Sequence, residues 1–185
     1  MVVYAARGLT RREQVYDLLA LAVREQYGLS PLPPVSRGER GKPYLPDHPE
    51  LHFNLSHSGG LALCALDGAP VGADIQTVSP HRPATVERCC SPEERAWLAE
   101  RGDSWEDFAL LWALKEAMVK RSGRGLTLPV SAITPPLPRG DETLLEQGGL
   151  FFRLYAGSGW RGAVCGRVPP PGELLWRPVP VQKNL

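Results

Sequence analysis

The sequence predicts an α+β fold made of two small halves. Three apolar runs, at 51–55, 61–66 and 71–75, are separated by the turn-forming segments SHSGG and DGAP, so they read as strands. Two segments with helical apolar spacing, 11–27 and 105–122, lie on either side of that strand cluster. A chain of 185 residues can form one large domain or two small halves sharing a core.

Taken in order, residues 2–6 read as a short strand. From Arg11 the apolar positions Val15, Leu18, Leu19, Ala22, Val23 and Tyr27 share one helical face, with Thr10 as N-cap and Gly28 as stop. Pro31, Pro33 and Pro34 enforce an extended connection, and the three strands after it form a meander. A second half opens at Ser91-Pro92, where Glu94 completes a capping box. Ser104 and Asp107 repeat a weaker version before the long helix, and Gly123 ends that helix in a left-handed conformation. Residues 150–155 and 162–168 read as strands and 168–180 as an extended tail. The halves meet near 72–85 and are divided as 1–72, the N-terminal half, and 73–185.

Composition narrows the class. The chain is 43% apolar and 22% charged, ordinary for a globular protein. No stretch approaches the roughly 18 consecutive apolar residues of a membrane span. The opening MVVYAARGLTRRE lacks a signal-peptide pattern, so a cytoplasmic location with Cys64, Cys89, Cys90 and Cys165 as reduced thiols is expected. A net charge of +1 argues against nucleic-acid binding. Residues 1–45 nevertheless hold seven Arg/Lys against four acids, a surplus suited to a small polyanion.

Two acidic segments carry the chemistry. In VGADIQ, strand alternation puts Val71, Ala73 and Ile75 on an apolar face and Gly72, Asp74 and Gln76 on the other. In the long helix, Phe108, Leu111, Trp112, Lys115 and Val119 form one stripe. Lys115, inside that stripe, must extend its amine to water or meet an anion. Glu116 and Lys120 sit side by side at its edge. As a surface ion pair they would contribute only about 0.3–0.5 kcal/mol. Carboxylates from a strand and a helix can hold one hard cation, and neighbouring lysines can meet phosphate oxygens. Ser56 and His57 are consecutive, so their side chains diverge and a hydrolase-type couple is not expected. A polar turn with a hydroxyl, an imidazole and glycine-flanked amides suits phosphate instead. Lys42, after Gly41 in a loop, is free to reach an anion.

Together these segments resemble the 4′-phosphopantetheinyl transferase superfamily, in its surfactin-synthetase-activating type. The motifs occur in order: GKPYLP at 41–46, HFNLSHSGG at 52–60, VGADIQ at 71–76, SPEERAWL at 91–98, and F-x-x-x-W-x-x-K-E-A-x-x-K-x-x-G-x-G-L at 108–126. The resemblance implies a pseudo-twofold α+β fold with the site between the halves. It implies transfer of the phosphopantetheine arm of coenzyme A to a serine of an apo acyl or peptidyl carrier protein, releasing adenosine 3′,5′-bisphosphate. It further implies Mg²⁺ on Asp74 and Glu116, with Glu116 also taking the serine proton and Lys120 stabilising phosphate charge. Lys42, Ser56 and His57 would hold the 3′-phosphate and neighbouring phosphates, Arg11 (or Arg12) the adenine side, and Lys115 would support substrate binding.

Two departures accompany the resemblance. The family's DIE triplet is Asp74-Ile75-Gln76 here, so at the third metal position Gln76 offers only a neutral oxygen or orients a water, and weaker Mg²⁺ binding is expected. The first helix also begins within about ten residues, which reduces the adenine-side contacts expected. The alternative these departures motivate is a coenzyme A- or carrier-binding module without turnover. A monomer is expected because one chain carries both halves, with neither nucleic acid nor membrane as partner.

Overall fold

In a computed structural model, which describes residues 1–125 and 127–178, two four-stranded sheets form the centre of the molecule. The first has the order β10 (Leu175–Trp176), β1 (Val2–Arg7), β5 (Leu61–Asp67), β4 (His52–Ser58). The second has the order β6 (Gly72–Thr77), β9 (Trp160–Gly166), β8 (Leu150–Gly157), β7 (Leu144–Gln147). A two-stranded hairpin, β2 (Ser36–Arg37) with β3 (Pro43–Tyr44), stands apart. The helices are α1 (Val15–Tyr27), α2 (Pro83–Cys89), α3 (Pro92–Glu100) and α4 (Trp105–Ser122). The fold is α+β, as expected.

Alternation along β1 sorts the layers. Tyr4 and Ala6 face α1, packing with Leu18, Leu19, Ala22 and Val23. Val3 and Ala5 face the second sheet, meeting Val71, Ala73, Ile75 and Val164. On the far side of that sheet, Phe152, Leu154, Ala163 and Cys165 pack against Ala113, Leu114 and Ala117 of α4. Each half is therefore a sheet with one helix on its outer face, and the two sheets share an apolar core.

The caps read from sequence are present except at the first helix, where Thr10 is not the N-cap. Ser91 and Glu94 form the capping box of α3, Ser104 caps α4, and Gly28 and Gly123 end α1 and α4 at φ 69° and 67°. The helix expected from Arg11 starts with a 3₁₀ turn at Arg12–Gln14, where the side-chain Oε1 of Gln14 accepts from the Thr10 and Arg11 backbone amides. Three strand readings need correction. β4 runs through Ser58, so the turn is only Gly59-Gly60, both at positive φ, the requirement of a tight two-residue hairpin. The meander stops after β5, because β6 pairs with β9 instead. Within the tail, β10 returns to pair in parallel with β1, crossing the division expected at 72/73. Leu126 and the last two tail positions lie outside the described residues. Among those described, no helix is long and apolar enough to cross a membrane, and all four cysteines are buried and free.

The β4 and β6 edges lie together, joined by side chains. Asn54 Oδ1 accepts from the Ala73 N–H (2.9 Å), Ser56 Oγ from Ile75 (3.2 Å) and Ser58 Oγ from Thr77 (3.0 Å). Every second residue of β4 thus supplies an acceptor to every second amide of β6. This stitching fixes the register of the two halves and, with it, the site.

Candidate active site

β6 projects Gly72, Asp74 and Gln76 away from the shared core, as alternation requires. At Gly72 the strand nearly touches α4: a Cβ there would lie 1.9 Å from the Ala117 carbonyl oxygen. The helix is thereby held low over β6, and Glu116 and Lys120, one turn apart, face Asp74. All three line a cleft of about 330 Å³ with Gln76, Ser56 and His57.

Asp74 is almost fully buried and well bonded. Its Oδ1 accepts from the Ser56 hydroxyl (2.7 Å) and from the Lys120 ammonium, which also donates to Ser56 Oγ (3.1 Å). Its Oδ2 accepts from the Gln76 amide nitrogen at 2.6 Å. Glu116 is half-buried. Desolvation, and next the charge of Asp74, raise its pKa above the ordinary carboxylate value, while Lys120 opposes the rise. Two carboxylates that feel each other across a cleft are a donor set suited to Mg²⁺, which commonly takes one or two carboxylates plus phosphate and water oxygens. Among the described residues no group of three or more His, Cys, Asp or Glu is placed to hold a metal ion. Gln76, expected at the metal, donates here to Asp74.

Arg12, Arg37 and Lys120 bring positive charge to the lining of the cleft, beside His57. Desolvation, then the charges of Arg12 and Lys120, lower the His57 pKa, so the imidazole is neutral at neutral pH. Arg12, Arg37, Tyr16 and Trp112 line the cleft but were not singled out as primary site residues. The sequence offers Arg12 only as an alternative to Arg11, and Arg37 only as part of the basic surplus of residues 1–45. Arg37 lies in β2, a strand of two residues and too short to show a periodicity, so only the local basic surplus points to it.

Two expected site residues, Arg11 and Lys115, stand elsewhere, and a third, Lys42, lines a neighbouring cleft of about 290 Å³ that shares Glu116 and Lys120. Arg11 is exposed and does not line the cleft, because the 3₁₀ turn presents Arg12 instead. Lys115 is 2% exposed and pairs with Glu94 of α3 at 2.7 Å. It also donates to the carbonyls of Val130 and Ile133 at 3.0 and 2.7 Å. The anion this apolar-face lysine had to meet belongs to the protein. Lys42 donates to the carbonyls of Lys120, Arg121 and Val71, and burial, with Arg121 beside it, lowers its pKa to about 8. Ser56 lines the cleft, but its oxygen is committed to Asp74, Lys120 and the Ile75 amide.

Comparison with known proteins bears on this site. The sequence model of the 4′-phosphopantetheinyl transferase superfamily matches residues 70–165, which include both carboxylates. A 4′-phosphopantetheinyl transferase of Bacillus subtilis is 37% identical over 161 residues, covering 82% of this chain and 71% of the relative. The 4′-phosphopantetheinyl transferase Sfp of Bacillus subtilis strain 168 is 35% identical over 141 residues, covering 72% and 63%. The 4′-phosphopantetheinyl transferase AcpT of Salmonella typhi is 34% identical over 143 residues, covering 75% and 72%. The matched stretch thus spans about two thirds of each relative's own length.

Proposed function

The chain belongs to the 4′-phosphopantetheinyl transferase superfamily, and from that premise we propose that it transfers phosphopantetheine from coenzyme A to a serine of an apo acyl or peptidyl carrier protein. One observation carries the reading: Asp74 of β6 and Glu116 of α4, 42 residues apart in sequence, converge with Lys120 on one cleft.

Asp74 and Glu116 are the residues that would hold Mg²⁺, which when bound would neutralise the pyrophosphate and its departing oxygen. The carrier's serine oxygen attacks the phosphorus bearing pantetheine, the bond to the bridging oxygen breaks, and adenosine 3′,5′-bisphosphate leaves. The serine proton passes to Glu116, whose raised pKa suits a base that must accept a proton and release it. Lys120 balances charge building on the phosphoryl oxygens, and it can do so because Ser56 and Gln76 also hold Asp74 in place. His57, Arg12 and Arg37 form the anion-binding end for the remaining phosphates. The two halves on one chain support a monomer, and the buried free thiols suit a reducing, cytoplasmic setting.

Incubating the protein with apo carrier, coenzyme A and Mg²⁺ should add one phosphopantetheine mass to the carrier. Glu116→Gln should slow that gain by about 10²–10⁴-fold. Retained coenzyme A binding with no mass gain by the wild type would leave a binding module in place of an enzyme.

A further inference from the structure

Lys42 ends the loop between β2 and β3, and its ammonium lies against the last turn of α4. It donates to the carbonyls of Lys120 (2.8 Å), Arg121 (3.0 Å) and Val71 (3.2 Å). An ammonium has three protons, and all three are spent on backbone. The final carbonyls of a helix lack partners within it and carry the negative end of its dipole, so a cation is favoured there. The loop has a second hold, because Arg40 donates to the Arg124 carbonyl at 2.7 Å. The stem of Lys42 covers the helix stop, where a Cβ on Gly123 would come within 3.2 Å of Lys42 Cδ. β6 approaches the same stretch of helix at Gly72, which leaves no room even for a methyl group.

We infer that Lys42 is a positioning residue: it clamps the turn of α4 that carries Lys120, and it is not a phosphate ligand. The clamp links the loop of the first half to the helix of the second, through Lys120 and Arg121, and to Val71, the residue just before β6. A free lysine in a loop would act through substrate affinity. A lysine spent on three carbonyls acts through the placement of Lys120, whose side chain meets Asp74 and Ser56 across the cleft. The inference rests on the transferase reading above, since it assigns a role within that reaction.

The test uses Lys42→Met, which keeps the stem and removes the charge. Its kcat should fall about tenfold or more, the cost of a misplaced catalytic group, while KM for coenzyme A changes less than about twofold. The preference for coenzyme A over 3′-dephospho-coenzyme A should be unchanged. In a Lys120→Met background the same substitution should cost almost nothing further, because the two act through one group. A raised KM with kcat retained, a lost preference for the 3′-phosphate, or equal losses in both backgrounds would overturn the inference. If Lys42→Met does not fold, Lys42→Arg decides. It keeps the charge a phosphate needs but misfits three carbonyls set for an ammonium, so kcat should fall at constant KM, and wild-type kinetics would count against the clamp. Hydrogen exchange at amides 120–125 reads the clamp without turnover. Faster exchange in Lys42→Met is expected even should the wild type fail to modify any carrier, a failure that would refute the transferase reading alone. Unchanged exchange would refute the clamp.

Discussion

Asp74 spends both carboxylate oxygens inside the protein, Oδ1 on Ser56 and Lys120 and Oδ2 on Gln76. Gln76 is the only one of these partners that strand alternation put beside Asp74, two positions along the same face. Replacing it by Glu would set two carboxylates where an amide now donates, a repulsive pair without a cation and a better donor set with one. Gln76→Glu should therefore melt lower than wild type in chelator and gain more on adding Mg²⁺, by about 2–4 °C for each kcal/mol of added binding. Equal Mg²⁺-induced shifts in the two proteins would show that position 76 does not contribute to the ion. Lys115 shows the limit of local reading. Its place on an apolar face demanded an anion, but Glu94 lies on another helix, where it already serves the capping box. No spacing rule relates the two, so the lysine was assigned to the substrate.

The helices were legible because their signals are local. Ser91, Glu94, Ser104, Gly28 and Gly123 each act within one turn, and each stands where expected. The faces of α4 were legible only in part. Phe108 and Leu111 pack toward α3, while Ala113, Leu114 and Ala117 pack on the second sheet, so the helix is buried on two sides and no single stripe describes it. Small residues made the second contact possible but add little to an apolar periodicity. Gly72 is the strand's half of that contact. Gly72→Ala would drive a Cβ to 1.9 Å from one backbone atom of α4 and 2.6 Å from another, neither of which can turn aside. It should destabilise the protein by about 3 kcal/mol or more and reduce transfer as well, because β6 and α4 carry the two carboxylates. Urea unfolding matching wild type would refute so close an approach.

At the scale of the molecule, the seam between the halves decides what the site can be. Strand positions 51–55, 61–66 and 71–75 are readable as apolar runs bounded by turns, but such a run cannot say which neighbour a strand will take. A meander was the nearest choice, and it missed that β6 starts the second sheet. It missed also that β7 and β10 complete the two sheets, since the one is four residues and the other two. The amides of Ala73, Ile75 and Thr77 meet Asn54, Ser56 and Ser58, a pattern visible in HFNLSHS only once the pairing is known. Asn54→Ala would strand the buried Ala73 amide and should lower stability by about 1–3 kcal/mol in urea unfolding. Wild-type stability would mean that packing alone joins the sheets. Backbone ladders accept any extended chain, which is how bare sheet edges recruit strangers and aggregate. Here one edge answers only to a strand bearing oxygens at alternate positions. Its N–H groups are withheld from passing peptides, so the protein can be concentrated without this border seeding fibrils.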